Sequence, residues 1–128
     1  MSDELFDKGM ATRKAVLGEA YVARAEANKT DFDADWQRYV TEHAWAAVWT
    51  RPGLEKRTRS MLTIAMLASL GRLDELGAHI RATRNTGVSQ EEVKEVLLQV
   101  AVYAGAPAAN SAFAIAKRIY KEMESESK

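Results

Sequence analysis

Cysteine is absent from the 128-residue chain. Without a thiol, disulfides, thiolate-held zinc, iron–sulfur clusters and all cysteine-based catalysis are excluded. The two histidines, His43 and His79, are too few for a histidine-rich metal centre. Helix breakers are scarce, with two prolines and seven glycines. No stretch of four or more residues rich in Val, Ile or Thr alternates strictly between apolar and polar, so strands have no signature here. Charge of one sign is lacking too. Eighteen Lys and Arg balance eighteen Asp and Glu. That balance gives no sequence-independent attraction to nucleic acid or anionic lipid, so neither is expected as a partner. The opening residues, MSDELFDKGM, are acidic where a secretory signal is basic and then apolar, which points to the cytoplasm.

What remains is an ordinary globular mixture, 47% hydrophobic and 28% charged, with abundant alanine. Its length suits a single domain over residues 1–128. Alanine favours helices, and the composition reads as an all-α bundle of about six to seven helices. Apolar residues recur at helical spacing from Asp3 to Leu17 (Leu5, Phe6, Met10, Val16, Leu17), and Gly18 ends that run. Further helices are expected over Glu19 to Asn28 and over Ala34 to Val48, where Trp36, Tyr39, Val40, Ala44 and Val48 recur at helical spacing. Trp49-Thr50-Arg51-Pro52-Gly53-Leu54 is the clearest loop. A helix over Glu55 to Leu70 begins with Lys56, Arg57 and Arg59, a placement that opposes its macrodipole. Another runs from Leu73 to Arg84 and stops near Asn85 and Gly87. Ser89 and Glu92 form a capping box that opens the sixth, through about Ala104. Pro107 suits the start of the seventh, and Lys121 to Lys128 reads as a frayed, charged end.

Val96 to Ala116 is free of charge for twenty-one residues. Gln99, Tyr103, Asn110 and Ser111 interrupt it and Gly105 and Pro107 split it, so it reads as two short buried helices rather than a membrane span. The small residues Ala106, Ala108, Ala109, Ala112, Ala114 and Ala116 invite close helix approach, so a homo-oligomer is expected.

Glu75 and His79 are four apart and share a helical face. A carboxylate so placed can hold an imidazole in one tautomer and move its pKa, as proton transfer requires. The alternative is a surface pair or a satisfied core histidine. A metal reading lacks the second histidine that an HExxH site needs. Arg51, Arg57, Arg59, Arg72 and Arg81 surround the pair, and guanidinium groups beside a proton donor suit a carboxylate-bearing substrate. The bland account pairs them with Glu55, Asp74 and Glu42 on a solvated surface. Trp36, Trp45 and Trp49 are more often core than pocket. No phosphate-binding glycine loop and no nucleophile elbow appears.

An ordered set of segments then resembles the carboxymuconolactone decarboxylase family, which shares the alkyl hydroperoxidase D-like fold. It runs from Gly9-Met10 and Val16-Leu17-Gly18 through Ala44-Trp45 and Trp49-Thr50-Arg51-Pro52-Gly53-Leu54. It continues with Arg59 to Leu67, Glu75-Leu76, His79-Ile80-Arg81-Ala82 and Glu92 to Gln99, and ends with Tyr103-Ala104-Gly105-Ala106-Pro107-Ala108-Ala109-Asn110. Ala46 departs from the glycine expected after the tryptophan. The redox branch carries a CxxC with a histidine four residues beyond. Arg72 and Glu75 stand at those cysteine positions, so thiol peroxidase chemistry does not transfer.

The resemblance implies cofactor-free decarboxylation of a lactone bearing two carboxylates, 4-carboxymuconolactone, to β-ketoadipate enol-lactone in bacterial protocatechuate breakdown, by a homohexamer. On this reading His79, Glu75 and Arg72 are catalytic. Arg51, Arg81, Trp49 and Tyr103 bind substrate. Two other readings stay open, a decarboxylase or isomerase for another small carboxylate and a non-enzymatic helical assembly protein.

Overall fold

The computed structural model describes residues 2–127, and their regular structure is helical. The chain divides between Lys56 and Arg57 into two compact units.

The first unit holds α1 (Ser2–Leu17), α2 (Glu19–Asn28) and α3 (Ala34–Val40), the last running directly into a π-helical segment, Thr41–Ala46. Gly18 separates α1 from α2 with φ 95°, a conformation that only glycine adopts without strain. Asp33 organises the turn before α3 by accepting the Thr30 N–H at 2.8 Å. The expected helix from Ala34 to Val48 is present only in part, and the residues that recur at helical spacing are not its buried ones. Trp36, Tyr39 and Val48 are exposed, whereas Thr41, Trp45 and Ala46 are buried. For Val48, which lies beyond it, the π-helical segment supplies a cause. One extra residue in a turn rotates everything downstream by about 100°, so a 3.6-residue period fitted across it selects the wrong face.

α1 packs on this segment at Gly9, where an added Cβ would overlap the Thr41 carbonyl oxygen and lie 3.1 Å from Ala46 Cβ. Glycine inside a helix costs about 1 kcal/mol relative to alanine, and this close approach is the physical reason for it. Arg13 is buried beside it, donating to Gln37 Oε1 at 3.2 Å with Glu26 at 3.7 Å.

The second unit holds α4 (Lys56–Leu70), α5 (Leu73–Thr86), α6 (Gln90–Tyr103) and α7 (Ala106–Glu126). Its core is built by Ile64, Leu76, Ile80, Val93, Leu97, Ala112 and Ile119. Each large aliphatic residue so buried contributes roughly 1.5–3 kcal/mol. The stop and start signals hold. Gly87 ends α5 with φ 84°, and Ser89 and Glu92 form the reciprocal capping box.

Two expectations are corrected. α7 is one 21-residue helix that continues to Glu126 rather than fraying from Lys121, because Glu122 and Glu126 are tied to arginines of α5. The charge-free stretch is split as expected between α6 and α7, but it is not buried on most sides, since Leu98, Val102 and Tyr103 are exposed. Ala109, Ala112 and Ala116 face the unit's own core, so those three alanines serve packing within the chain. Among the described residues no helix is long and apolar enough to cross a membrane.

Candidate active site

α5 is fixed by Leu76, Gly77, Ile80 and Thr83, with Ile115 and Ile119 of α7 lying over Gly77. That rotation leaves positions 72, 75 and 79, spaced by three and four, along one flank of the helix. Arg72 stands at the cap position and is exposed. Glu75 is exposed and enters no hydrogen bond or ion pair among the described residues. His79 is partly enclosed, and burial pushes its pKa down to about 4. Burial alone accounts for this, with no contribution from Glu75. At neutral pH the imidazole is therefore uncharged, a donor and an acceptor rather than a cation.

Arg81 lies two residues beyond His79, some 200° around the helix, on another face. Its guanidinium is engaged there, donating to Glu122 Oε1 at 2.5 Å and to Glu126 Oε2 at 2.6 Å. Arg84 reaches Glu126 at 3.5 Å and Arg118 reaches Glu122 at 3.6 Å, which completes a charge network between α5 and α7. Arg57 pairs with the capping residue Glu92. Arg57 and Arg81 thus carry ion pairs, with partners distant in sequence. Of the nearby acids expected, Glu42 is engaged by Arg38, at 3.3 Å.

In the first unit Arg51 is exposed in the loop after the π-helical segment, its backbone N–H bonded to Val48 O at 3.0 Å. Trp49 is half-buried with its ring 5.0 Å from Trp45, so these two tryptophans are a packed pair. Trp36 is instead exposed and stacked on Tyr39. Tyr103, at the end of α6, is 82% exposed.

One surface escaped the sequence reading. Leu62, Met66 and Leu70 recur every four residues along α4 and are exposed, as are Leu98 and Val102 of α6. A groove of about 500 Å³ opens between the two helices over Met61, Leu62, Ala65 and Val96, rimmed by Glu91 and Glu95. The i, i+4 signal was present in α4, but the segment from Met61 to Ala68 is so uniformly apolar that periodicity alone does not separate core from surface.

An all-helical chain with an enclosed neutral imidazole, exposed guanidinium groups and no sulfur nucleophile fits the thiol-free side of the fold class that the sequence suggested. Known proteins narrow this further. The model of the carboxymuconolactone decarboxylase family matches residues 34–118. The chain is 45% identical over 124 residues to a 4-carboxymuconolactone decarboxylase from Acinetobacter baylyi, covering 96% of this chain and 92% of that one. It is 40% identical over 119 residues to a nitrosuccinic acid decarboxylase from Metarhizium robertsii, covering 93% and 83%. A 39-residue match to a 4-carboxymuconolactone decarboxylase from Pseudomonas putida, 44% identical, covers 30% of this chain and 81% of the relative. This chain belongs to the carboxymuconolactone decarboxylase family.

Proposed function

We propose that this protein is a decarboxylase of 4-carboxymuconolactone, forming β-ketoadipate enol-lactone and carbon dioxide in cytoplasmic breakdown of aromatic acids. The observation that carries the reading is 45% identity to a protein of that name across 96% of the chain. The family match runs across the junction of the two units, which supports their working as one domain.

The reaction supplies its own electron acceptor. The departing carboxylate sits on the γ-carbon of an unsaturated lactone, so its bonding pair flows through the ring to the lactone carbonyl and leaves a 2-oxyfuran-type dienolate. One proton added to a ring carbon then gives the product. A dianion becomes carbon dioxide and a monoanion, and the protein must hold the remaining carboxylate, stabilise the enolate oxygen and deliver the proton. Arg51 takes the first role, with Trp49 two residues before it. Arg72 or backbone N–H groups take the second, and His79 takes the third. Arg81 is left out, because its fork is filled by Glu122 and Glu126.

An uncharged imidazole is a poor acid, and the substrate resolves this. A dianion docked beside His79 favours the imidazolium, so the imidazole takes up a proton on binding and gives it to carbon after carbon dioxide leaves. Glu75 lies one turn before His79 on the same flank of α5.

The second relative supports a second reading. Nitrosuccinic acid has the same layout, a carboxylate on a carbon bearing an electron acceptor and another carboxylate one carbon further. Incubating the purified protein with each acid, without additives, and following carbon dioxide release and lactone absorbance decides between them. Turnover of the lactone alone supports the first reading, and turnover of nitrosuccinate alone supports the second. Inertness toward both sinks the decarboxylase proposal.

The exposed apolar face of α4 and α6 supports a homo-oligomer, since uncovered patches of this kind mark association sites. Tyr103 is exposed at the end of α6, and a second copy is what would enclose it for substrate binding.

A further inference from the structure

We propose that Gly9 and the π-helical segment Thr41–Ala46 form a positioning device for Arg51, and this rests on the reading of Arg51 as the group that holds the retained carboxylate. The contacts run unbroken through the first unit. At Gly9 the backbone of α1 lies against Thr41 and Ala46, where any side chain would collide with the Thr41 carbonyl. Thr41 is fully buried and its hydroxyl donates to Gln37 O at 2.7 Å, so this face cannot retreat into solvent.

The widened ladder continues beyond the segment. Ala47 N–H bonds to Glu42 O at 3.0 Å and Trp49 N–H to Ala44 O at 3.0 Å, each spanning five residues. The Thr50 hydroxyl then donates to Ala46 O at 2.5 Å, and Arg51 N–H closes on Val48 O. Trp49, between them, packs its ring at a tilt of 30° against the buried Trp45.

The geometry has a consequence for Arg51. With ordinary four-residue bonding, everything after the segment would be turned by about 100° about the helix axis. The Trp49–Arg51 corner would leave the helix in a different direction. Adding a Cβ at position 9 pushes against the carbonyl that opens the π-helical segment and against Ala46, its last residue. The same strain reaches the Thr50 anchor through Ala46. Gly9 thus acts through the backbone of another helix, with no contact of its own to substrate. π-Helical turns recur at functional sites for this reason, since one added residue re-aims the chain beyond it.

The test combines Gly9→Ala and Thr50→Val with Arg51→Ala in double-mutant cycles. Gly9→Ala strikes the α1 side of the device and Thr50→Val its exit, and the second keeps the inference testable if the first fails to fold. Each is expected to raise KM for the dicarboxylate substrate tenfold or more while kcat changes less than threefold. In the Arg51→Ala background each should add under a twofold change. Thr50→Ser, which keeps the hydroxyl, should restore the native KM. If the single variants are impaired equally with and without Arg51, or leave KM unchanged, the positioning inference fails while the role of Arg51 stands. If Arg51→Ala itself turns over normally, the reading beneath it fails instead.

Discussion

His79 is the residue on which the proposed chemistry turns. His79→Ala should keep its helix, since alanine is the better helix former, and lose about two to four orders of magnitude in turnover, the usual weight of a positioned acid. Wild-type rates would remove it from the mechanism. Because its pKa in the free protein is near 4, protonation on binding has a measurable sign. Calorimetry of an unreactive dicarboxylate at pH 7 in buffers of different ionisation enthalpy should show uptake of close to one proton. Its absence, with binding intact, would rule out the induced imidazolium. In steady state, kcat/KM should fall as pH rises above about 4 while kcat stays flat, because the first reports the free protein and the second the complex.

The same residue shapes stability. The folded pKa lies below the unfolded value of about 6.5, so between pH 4 and 6.5 the unfolded chain binds the extra proton. The neutral, enclosed imidazole is therefore tolerated above pH 6.5, and stability falls as pH drops toward 4, by on the order of 3 kcal/mol at most. Urea midpoints for His79→Gln should lose less over that interval than those of the unsubstituted protein. Parallel slopes would place the acid sensitivity elsewhere.

At the scale of elements, the α5–α7 charge network separates two arginines that look alike in sequence. Arg81→Ala should lower the melting temperature and loosen the last turns of α7, with kcat/KM within about threefold, because its fork serves Glu122 and Glu126. Arg51→Lys keeps charge but not the planar fork, and should lower kcat/KM at least tenfold, about 1.4 kcal/mol in transition-state stabilisation, with melting unchanged. Reversed outcomes for the pair would return Arg81 to substrate binding. The elements also show where local rules suffice. Gly18, Gly87, the Ser89–Glu92 box and Pro107 set helix ends as their chemistry dictates, since each acts within one turn of chain.

For the whole molecule, association should depend on α4 and α6 rather than on the alanines of α7. Met66→Glu and Val102→Glu place charges on exposed apolar positions and should reduce the particle mass in light scattering while each chain keeps its helical spectrum. Ala112→Trp, by contrast, overpacks a position buried against the core and should unfold the second unit. If the glutamate variants keep the native mass, that face is not the contact.

The sequence alone determined the helical class, the exclusion of thiol chemistry, most helix ends and the flank shared by Glu75 and His79. These depend on composition or on spacings within a few turns, where covalent geometry leaves little choice. Tertiary structure decided what depends on residues far apart. It inserted a π-helical segment against Gly9 that redirects the chain after Thr41, and it sent Arg57 and Arg81 to Glu92, Glu122 and Glu126 rather than to nearby acids. It placed Ala109 and Ala112 in the core and left Leu70 and Val102 outside. It also enclosed His79, so that desolvation rather than the neighbouring carboxylate governs its charge. Burial is a property of what packs around a residue, and no periodicity within one helix records it.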